Sequence, residues 1–162
     1  MNLVAALGFL GFLAACLLAA SSGAIFRAGS WYDGLAKPWW RPPRWVFAPA
    51  WGVLYLLIAT SGWLVWREAG LGGAALPLTV YFVSLAFNAA WSGLFFGLRR
   101  PDLAFLDVVA LWVSIAATVA AFAPVSAAAA WLLIPYLCWV AFAAALNLAI
   151  WQMNRRKLGA AS

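Results

Sequence analysis

The sequence predicts an all-α integral membrane protein, a bundle of five transmembrane helices. Composition is the first reason. Of 162 residues, 68% are apolar and only 9% charged, whereas a soluble domain is about half apolar and a quarter charged. A chain so poor in polar groups cannot cover a water-soluble globule. The second reason is that the apolar residues fall in five continuous runs, each near the about 20 helical residues that cross a bilayer. A membrane β-barrel would instead show alternating segments of about 10 residues. The third reason is what is missing. There is no His and there are only two Cys, Cys16 and Cys138, each inside an apolar run. That excludes a disulfide scaffold, His-based zinc sites, His-ligated haem and Ser-His-Asp chemistry. No metal set is expected.

The first run, 3–26, has no basic residue ahead of it and is too long for the apolar core of a signal peptide. It reads as a mature helix. Gly11, Ala15, Ala19 and Gly23 recur along it every four residues, a small-residue stripe of the kind that lets helices approach closely. The connection 27–44 follows. It places Trp31, Tyr32, Trp39 and Trp40 among Pro38, Pro42, Pro43 and four basic residues. Interfacial aromatics commonly anchor a protein at the headgroup level. Three prolines, which fix backbone angles and remove amide donors, also suit a stiff lid over a helix bundle.

The second run, 45–66, carries Phe47, Trp51 and Tyr55 at i, i+4 and i+8, one helix face. The third, 76–98, carries Ser84, Asn88, Trp91 and Phe95 on one face, and a second small stripe, Ala89, Gly93 and Gly97. Asn88 lies mid-membrane, where a bare amide is costly and should face protein. The fourth run, 103–123, contains Asp107, the one formal charge inside any run. An intramembrane acid is a functional candidate by default; a pairing with Arg99 or Arg100 near the interface is the alternative. The fifth, 128–151, presents Trp139, Phe142, Ala143, Leu146 and Asn147 one turn beyond Pro135 and Tyr136. Aromatic stripes at helical spacing often only pack. Three helices that each pair aromatics with an isolated polar group describe a small-molecule pocket better.

The five runs leave only short connections, so 1–162 is expected to be one domain, with no internal repeat. The basic residues set its orientation. Arg27, Lys37, Arg41, Arg44, Arg99, Arg100, Arg155, Arg156 and Lys157 fall on one side and Arg67 alone on the other. By the positive-inside rule, in a bacterial inner membrane the N-terminus is outside and the C-terminus cytoplasmic. The net charge of +6 is thereby explained by topology and by contact with the lipid bilayer. No nucleic-acid partner is expected, and no nucleic-acid motif is present.

Read as spaced motifs, Trp31-Tyr32-x-x-Leu35-x-Lys37-Pro38-x-Trp40-x-Pro42-Pro43 and Phe47-x-Pro49-x-Trp51-x-x-Leu54-Tyr55 resemble the TspO/MBR family. These are tryptophan-rich sensory proteins, similar to the mitochondrial translocator protein or peripheral benzodiazepine receptor. Asn88-x-x-Trp91-x-x-x-Phe95-Phe96-Gly97 and Pro135-Tyr136-x-x-Trp139-x-x-Phe142-Ala143-x-x-Leu146-Asn147 extend the resemblance over nearly the whole chain.

The resemblance implies a five-helix bundle, usually dimeric, with a pocket beneath the first loop. It implies porphyrin ligands such as protoporphyrin IX, benzodiazepine- and isoquinoline-type drugs, and in some members sterols. Carried over by motif, the pocket takes Trp31, Trp39 and Trp40 from the loop and Phe47, Trp51 and Tyr55 from the second run. It adds Phe87, Asn88 and Trp91 from the third and Trp139, Ala143 and Leu146 from the fifth. Aromatic walls stack on a flat macrocycle, and Lys37, Arg41 or Arg44 can hold its propionates. With no His to ligate iron, a metal-free porphyrin suits the chain better than haem, and no cofactor is required. The sterol motif of animal members, a Tyr followed closely by a base, does not continue here, since no base follows Tyr136 until Arg155.

Three functions compete. One is a porphyrin receptor, sensor or translocator in tetrapyrrole metabolism or stress regulation. Another is an enzyme degrading porphyrin in light, for which Trp51 and Trp139 are the candidate catalytic residues. The last is a structural membrane protein, a homodimer joined by the small-residue stripes. No nucleophile–base pair or nucleotide motif appears, which disfavours ordinary enzymology. An Ala-, Gly- and Arg-rich chain without a transit-like arm fits a bacterial source, with the outer membrane as an alternative location.

Overall fold

A computed structural model describes residues 3–159, with side chains described to Arg156. Residues 1, 2 and 160–162 of the expected domain, and the Lys157 side chain counted with the basic end, lie outside the described residues. The described chain has five helices long and apolar enough to cross a membrane. The first is α1 (Leu3–Ile25). A one-turn helix, α2 (Ser30–Asp33), interrupts the first loop. The second span is α3 (Arg44–Gly73). The third is α4 (Ala75–Ser92), continued by a wide turn over Gly93–Gly97. The fourth is α5 (Pro101–Phe122). The fifth begins as α6 (Ala127–Leu132) and continues as α7 (Ile134–Gly159).

The spans pack as a closed ring. The second lies on the first, the first on the third, the third on the fourth, the fourth on the fifth, and α6 returns to α3. The centre of the ring is apolar, with Ile58, Val65, Tyr81, Ile115, Phe122 and Tyr136 essentially inaccessible. The outer faces of the helices are apolar too, for example Leu10, Leu18, Val53, Leu106 and Val113. That is how a surface solvated by lipid tails differs from one solvated by water.

The predicted and observed spans differ in four places. The fifth, expected to end at 151, continues as helix to Gly159. The connection expected at 67–75 is helical as far as Gly73, and the chain turns at Gly70, whose φ of +66° only glycine adopts without steric cost. The fourth helix starts at Pro101, two residues before the predicted start. Proline is suited to a first helical position, where no amide bond is lost. The third helix ends in a π-type turn, Leu98 N–H donating to Gly93 C=O at 2.7 Å. Arg99, at φ +55°, then reverses the chain.

Small residues set how α1 meets its neighbours. A Cβ on Gly8 would lie 2.2 Å from the Trp66 ring, and one on Gly62 would lie 2.8 Å from Phe12. Phe26 lies over Gly97, where a Cβ would come within 2.9 Å of its ring. Ala19 is buried within the chain. The two stripes, which could either pack the bundle or join copies, are largely used between α1 and α4, with Gly23 facing Ser92 and Gly93 and Gly97 facing Phe26. Gly11 is the exception, with nothing within 4 Å of a Cβ built there.

Candidate ligand-binding cavity

A cavity of about 700 Å³ lies inside the basic end of the ring, below the first loop. Small-molecule pockets span about 300–1,000 Å³. Each long helix contributes to it. Phe47, Trp51 and Tyr55 come from α3, Asn88 and Trp91 from α4, and Phe95 and Phe96 from its wide turn. Val108 and Leu111 come from α5, and Trp139, Ala143, Leu146 and Asn147 from α7. Pairing at i, i+4 puts these side chains on single faces, and the π turn swings Phe95 and Phe96 onto the same wall as Trp91. The walls are braced by ring contacts. Trp51 stacks on Tyr55 at 5.3 Å between centroids, Trp91 on Phe95 at 5.0 Å, and Trp139 meets Phe47 edge-on at 5.8 Å.

Two asparagines hold the polar groups of these walls. The Tyr55 hydroxyl donates to Asn88 Oδ1 at 2.7 Å, and Asn88 Nδ2 donates to the Tyr136 hydroxyl at 3.0 Å. This chain ties the second, third and fifth spans together through one buried amide. Trp91 Nε1 donates to Asn147 Oδ1 at 3.0 Å, and Asn147 Nδ2 donates to the Pro101 carbonyl at 2.8 Å. An amide in lipid that is satisfied on both its ends stays fixed, so Trp91 is held with its face toward the cavity.

The first loop closes the basic end. Tyr32 and Leu35 are buried against Phe95, Ala104, Leu146 and Ile150, each worth about 1.5–3 kcal/mol if wholly withdrawn from water. Asn154, at 1% exposure, accepts from the Ala36 N–H at 2.9 Å and donates to the Ala36 carbonyl at 2.9 Å. Lys37 donates to the carbonyls of Asp33 and Leu35 and lies 4.7 Å over the Tyr32 ring. Partial burial and the nearby Arg41 pull its ammonium below the ordinary lysine value, against the pull of Asp33. Arg44 pairs with Asp33 across the loop.

Of the expected pocket residues, Phe47, Trp51, Tyr55, Asn88, Trp91, Trp139, Ala143 and Leu146 meet at the cavity, as do Arg41 and Arg44. Five do not line it. Trp39 is 94% exposed and points away from the bundle. Trp40 packs edge-on against Phe142. Trp31 lies behind Phe95 as a second layer. Phe87 packs on the central core. Lys37 is engaged by backbone carbonyls within the loop. Pro38, Pro42 and Pro43 fix this segment rigidly, and its aromatics divide between the cavity roof and the outer surface.

Tyr32, Phe96 and Arg27 line the cavity without having been among the expected site residues, and Phe95 and Asn147, read on the pocket faces of the third and fifth runs, line it as well. Asp107 does not take the pairing with Arg99 or Arg100 that was its alternative reading. Arg100 forks onto Asp102 at 2.8 and 2.6 Å, and Asp107 Oδ2 is buried with no hydrogen-bond partner. Among the described residues, no three His, Cys, Asp or Glu side chains gather as a metal set.

The chain is similar to known proteins over most of its length. The model of the TspO/MBR family matches residues 12–152. A tryptophan-rich sensory protein of Cereibacter sphaeroides is 43% identical over 146 residues, 90% of each chain. The translocator protein of Homo sapiens is 43% identical over 152 residues, 90% of this chain and 89% of that one. Protein CrtK of Rhodobacter capsulatus is 40% identical over 150 residues, 90% of this chain and 92% of that one.

Proposed function

Because the chain belongs to the TspO/MBR family of membrane proteins, we propose that it is a receptor, sensor or translocator for porphyrins. Protoporphyrin IX is the ligand best matched to the cavity, and benzodiazepine- and isoquinoline-type molecules are aromatic and small enough to share it. The observation that carries the reading is the cavity itself. Trp51 and Trp139 face it from different helices, with Trp91 on a third, and Arg27 and Arg41 stand at its basic end. A macrocycle with two propionates offers a flat π-surface for the rings and carboxylates for the guanidinium groups. A metal-free ring suits a cavity whose lining includes no His, Cys or Met and whose Tyr55 hydroxyl is engaged with Asn88. In an inner membrane the basic end faces the cytoplasm, and Gly11 marks the face of α1 left open to a second copy.

A second reading is favoured by one specific observation, that two redox-capable indoles, Trp51 and Trp139, both line the cavity. In this reading, bound porphyrin is broken down in light with dioxygen as oxidant. One experiment addresses both. Protoporphyrin IX is titrated into the purified protein and read by tryptophan quenching, beside Trp51→Phe and Ala143→Phe. Saturable quenching that weakens about tenfold or more in Ala143→Phe, about 1.4 kcal/mol, supports the binding reading. Equal, non-saturating quenching in all three proteins refutes it. New absorption bands that need light, and that Trp51→Phe abolishes, favour breakdown over binding alone.

A further inference from the structure

We propose that the ligand of this cavity is exchanged sideways with the membrane, through a gap between α1 and α3, and not through the first loop. The inference rests on the ligand-binding reading above and names the route and the kind of molecule it admits. That molecule is a membrane-dissolved amphiphile with an anionic edge.

The loop is fastened at several independent points. Asn154 holds both backbone groups of Ala36, a residue 118 positions away in sequence. A third bond, from Asn154 Nδ2 to the Ile150 carbonyl at 2.7 Å, fixes that amide to its own helix. Tyr32 and Leu35 are buried beneath the loop, and Arg44 and Lys37 cross-brace it. Opening it means breaking these bonds together and exposing two apolar side chains to water.

The α1–α3 seam is built differently along its length. At the end away from the loop, the helices are pinned. Trp63 Nε1 donates to the Ala5 carbonyl at 2.9 Å, Phe9 meets Trp63 edge-on, and Phe12 packs on Gly62. Toward the loop, α1 leans on α4 instead, with Phe26 against Gly93 and Gly97. The facing halves of α1 and α3 then carry Leu17 and Leu56, which line the cavity and are 58% and 51% exposed, too much for side chains set deep in its walls. A side chain that is both lining and this exposed sits on the rim of an opening. Gly52 lines the same rim, and a Cβ built on it meets nothing within 4 Å.

The rim has the chemistry of a membrane leaflet turned on its side. From Leu13 to Arg27, a rise of about 20 Å along a helix, its lining runs Leu13, Leu17, Ala20, Phe26 and then Arg27. Arg41 faces the same basic end from the loop. A flat amphiphile resting in the leaflet, anionic groups at headgroup depth, passes this rim without changing the depth at which either part is solvated. Arg27 and Arg41 meet its anionic edge at the level where that edge already lies.

The test uses the protein in lipid vesicles, with Cys138→Ala as background, because Cys138 is the exposed cysteine. Leu17→Cys and Leu56→Cys are introduced together and bridged by a bis-maleimide. Protoporphyrin IX is supplied from the bilayer, and its association and dissociation are timed by tryptophan quenching. In parallel, Asn154→Ala frees the loop, and hydrogen exchange at the Ala36 amide measures how far.

The proposal predicts that bridging slows both rates about tenfold or more against the same variant unbridged, while Asn154→Ala leaves them within about twofold although Ala36 exchange accelerates. Rates that rise with loop release and ignore the bridge overturn it. If Ala36 exchange does not accelerate, the bridge decides alone, and unchanged rates after bridging overturn the proposal. Absence of saturable binding in the background protein refutes the ligand-binding reading instead, which the bridge experiment does not touch.

Discussion

Asn88 stands where a single side chain decides most. Its amide satisfies Tyr55 and Tyr136 at once, and interhelical polar bonds in membranes are worth about 0.6–2 kcal/mol each. Asn88→Ala should therefore lower the thermal unfolding midpoint in detergent, and Asn88→Ala/Tyr55→Phe should cost less than the sum of the two single changes. Strict additivity would mean that the bond contributes nothing. The Asp33–Arg44 pair lies at the other extreme. Both side chains are more than half exposed, so Asp33→Asn should cost under about 1 kcal/mol and less still in high salt, a difference readable from unfolding midpoints at two ionic strengths.

Asn88 was legible in the sequence because an amide in mid-membrane must face protein. Asn154 was not, because it stands beside Arg155 and Arg156 in what reads as a charged tail, and its partner is Ala36 at the far end of the chain. Lys37 misled in the opposite sense. A lysine among arginines reads as an anion contact, but nothing local reveals that backbone carbonyls occupy its donors. Arg27 ended the first run and was counted only for topology.

At the scale of helices, the apolar runs mark the spans to within a few residues except at the end of the fifth, which continues as helix past 151 to Gly159, and after the second. There the run ends on Arg67 and Glu68, yet helix continues to Gly73 across a break at Gly70. Arg67 lies 4.6 Å over the Trp63 ring, and Ser126 Oγ donates to Glu68 Oε1 at 2.8 Å, so these charges are satisfied on a helix that emerges from the bilayer. The π turn at Gly93–Gly97 was invisible, since it answers to Phe26 packing on the two glycines. Two predictions follow from helix geometry. Arg99 pays for its left-handed backbone, so Arg99→Gly should stabilise by about 1 kcal/mol, measured as a raised midpoint, and Arg99→Val should lower it. Gly62→Ala forces a methyl between Phe12 and Tyr81, both buried, and should destabilise by about 1–3 kcal/mol. A neutral effect there would mean that α1 and α3 are not pinned where the structure pins them.

For the molecule as a whole, the same chain has to face lipid outside, pack a dry centre and keep a cavity open near its basic end. Composition and the five runs made the bundle legible, and the charge asymmetry made its two ends distinguishable. The site was legible where aromatics repeat at helical spacing, in Trp51, Trp91 and Trp139. It was obscure in the loop, whose four large aromatics part between roof and outer surface according to prolines that fix directions no periodicity encodes. The most direct test of the central claim is an experimental structure of the protein in lipid with protoporphyrin IX bound. The account predicts the macrocycle against Trp51 and Trp139 inside the ring of helices, its carboxylates toward Arg27 and Arg41. A macrocycle lodged instead in the outer groove between α3 and α7, beside Val53, Leu57 and Cys138, would contradict it.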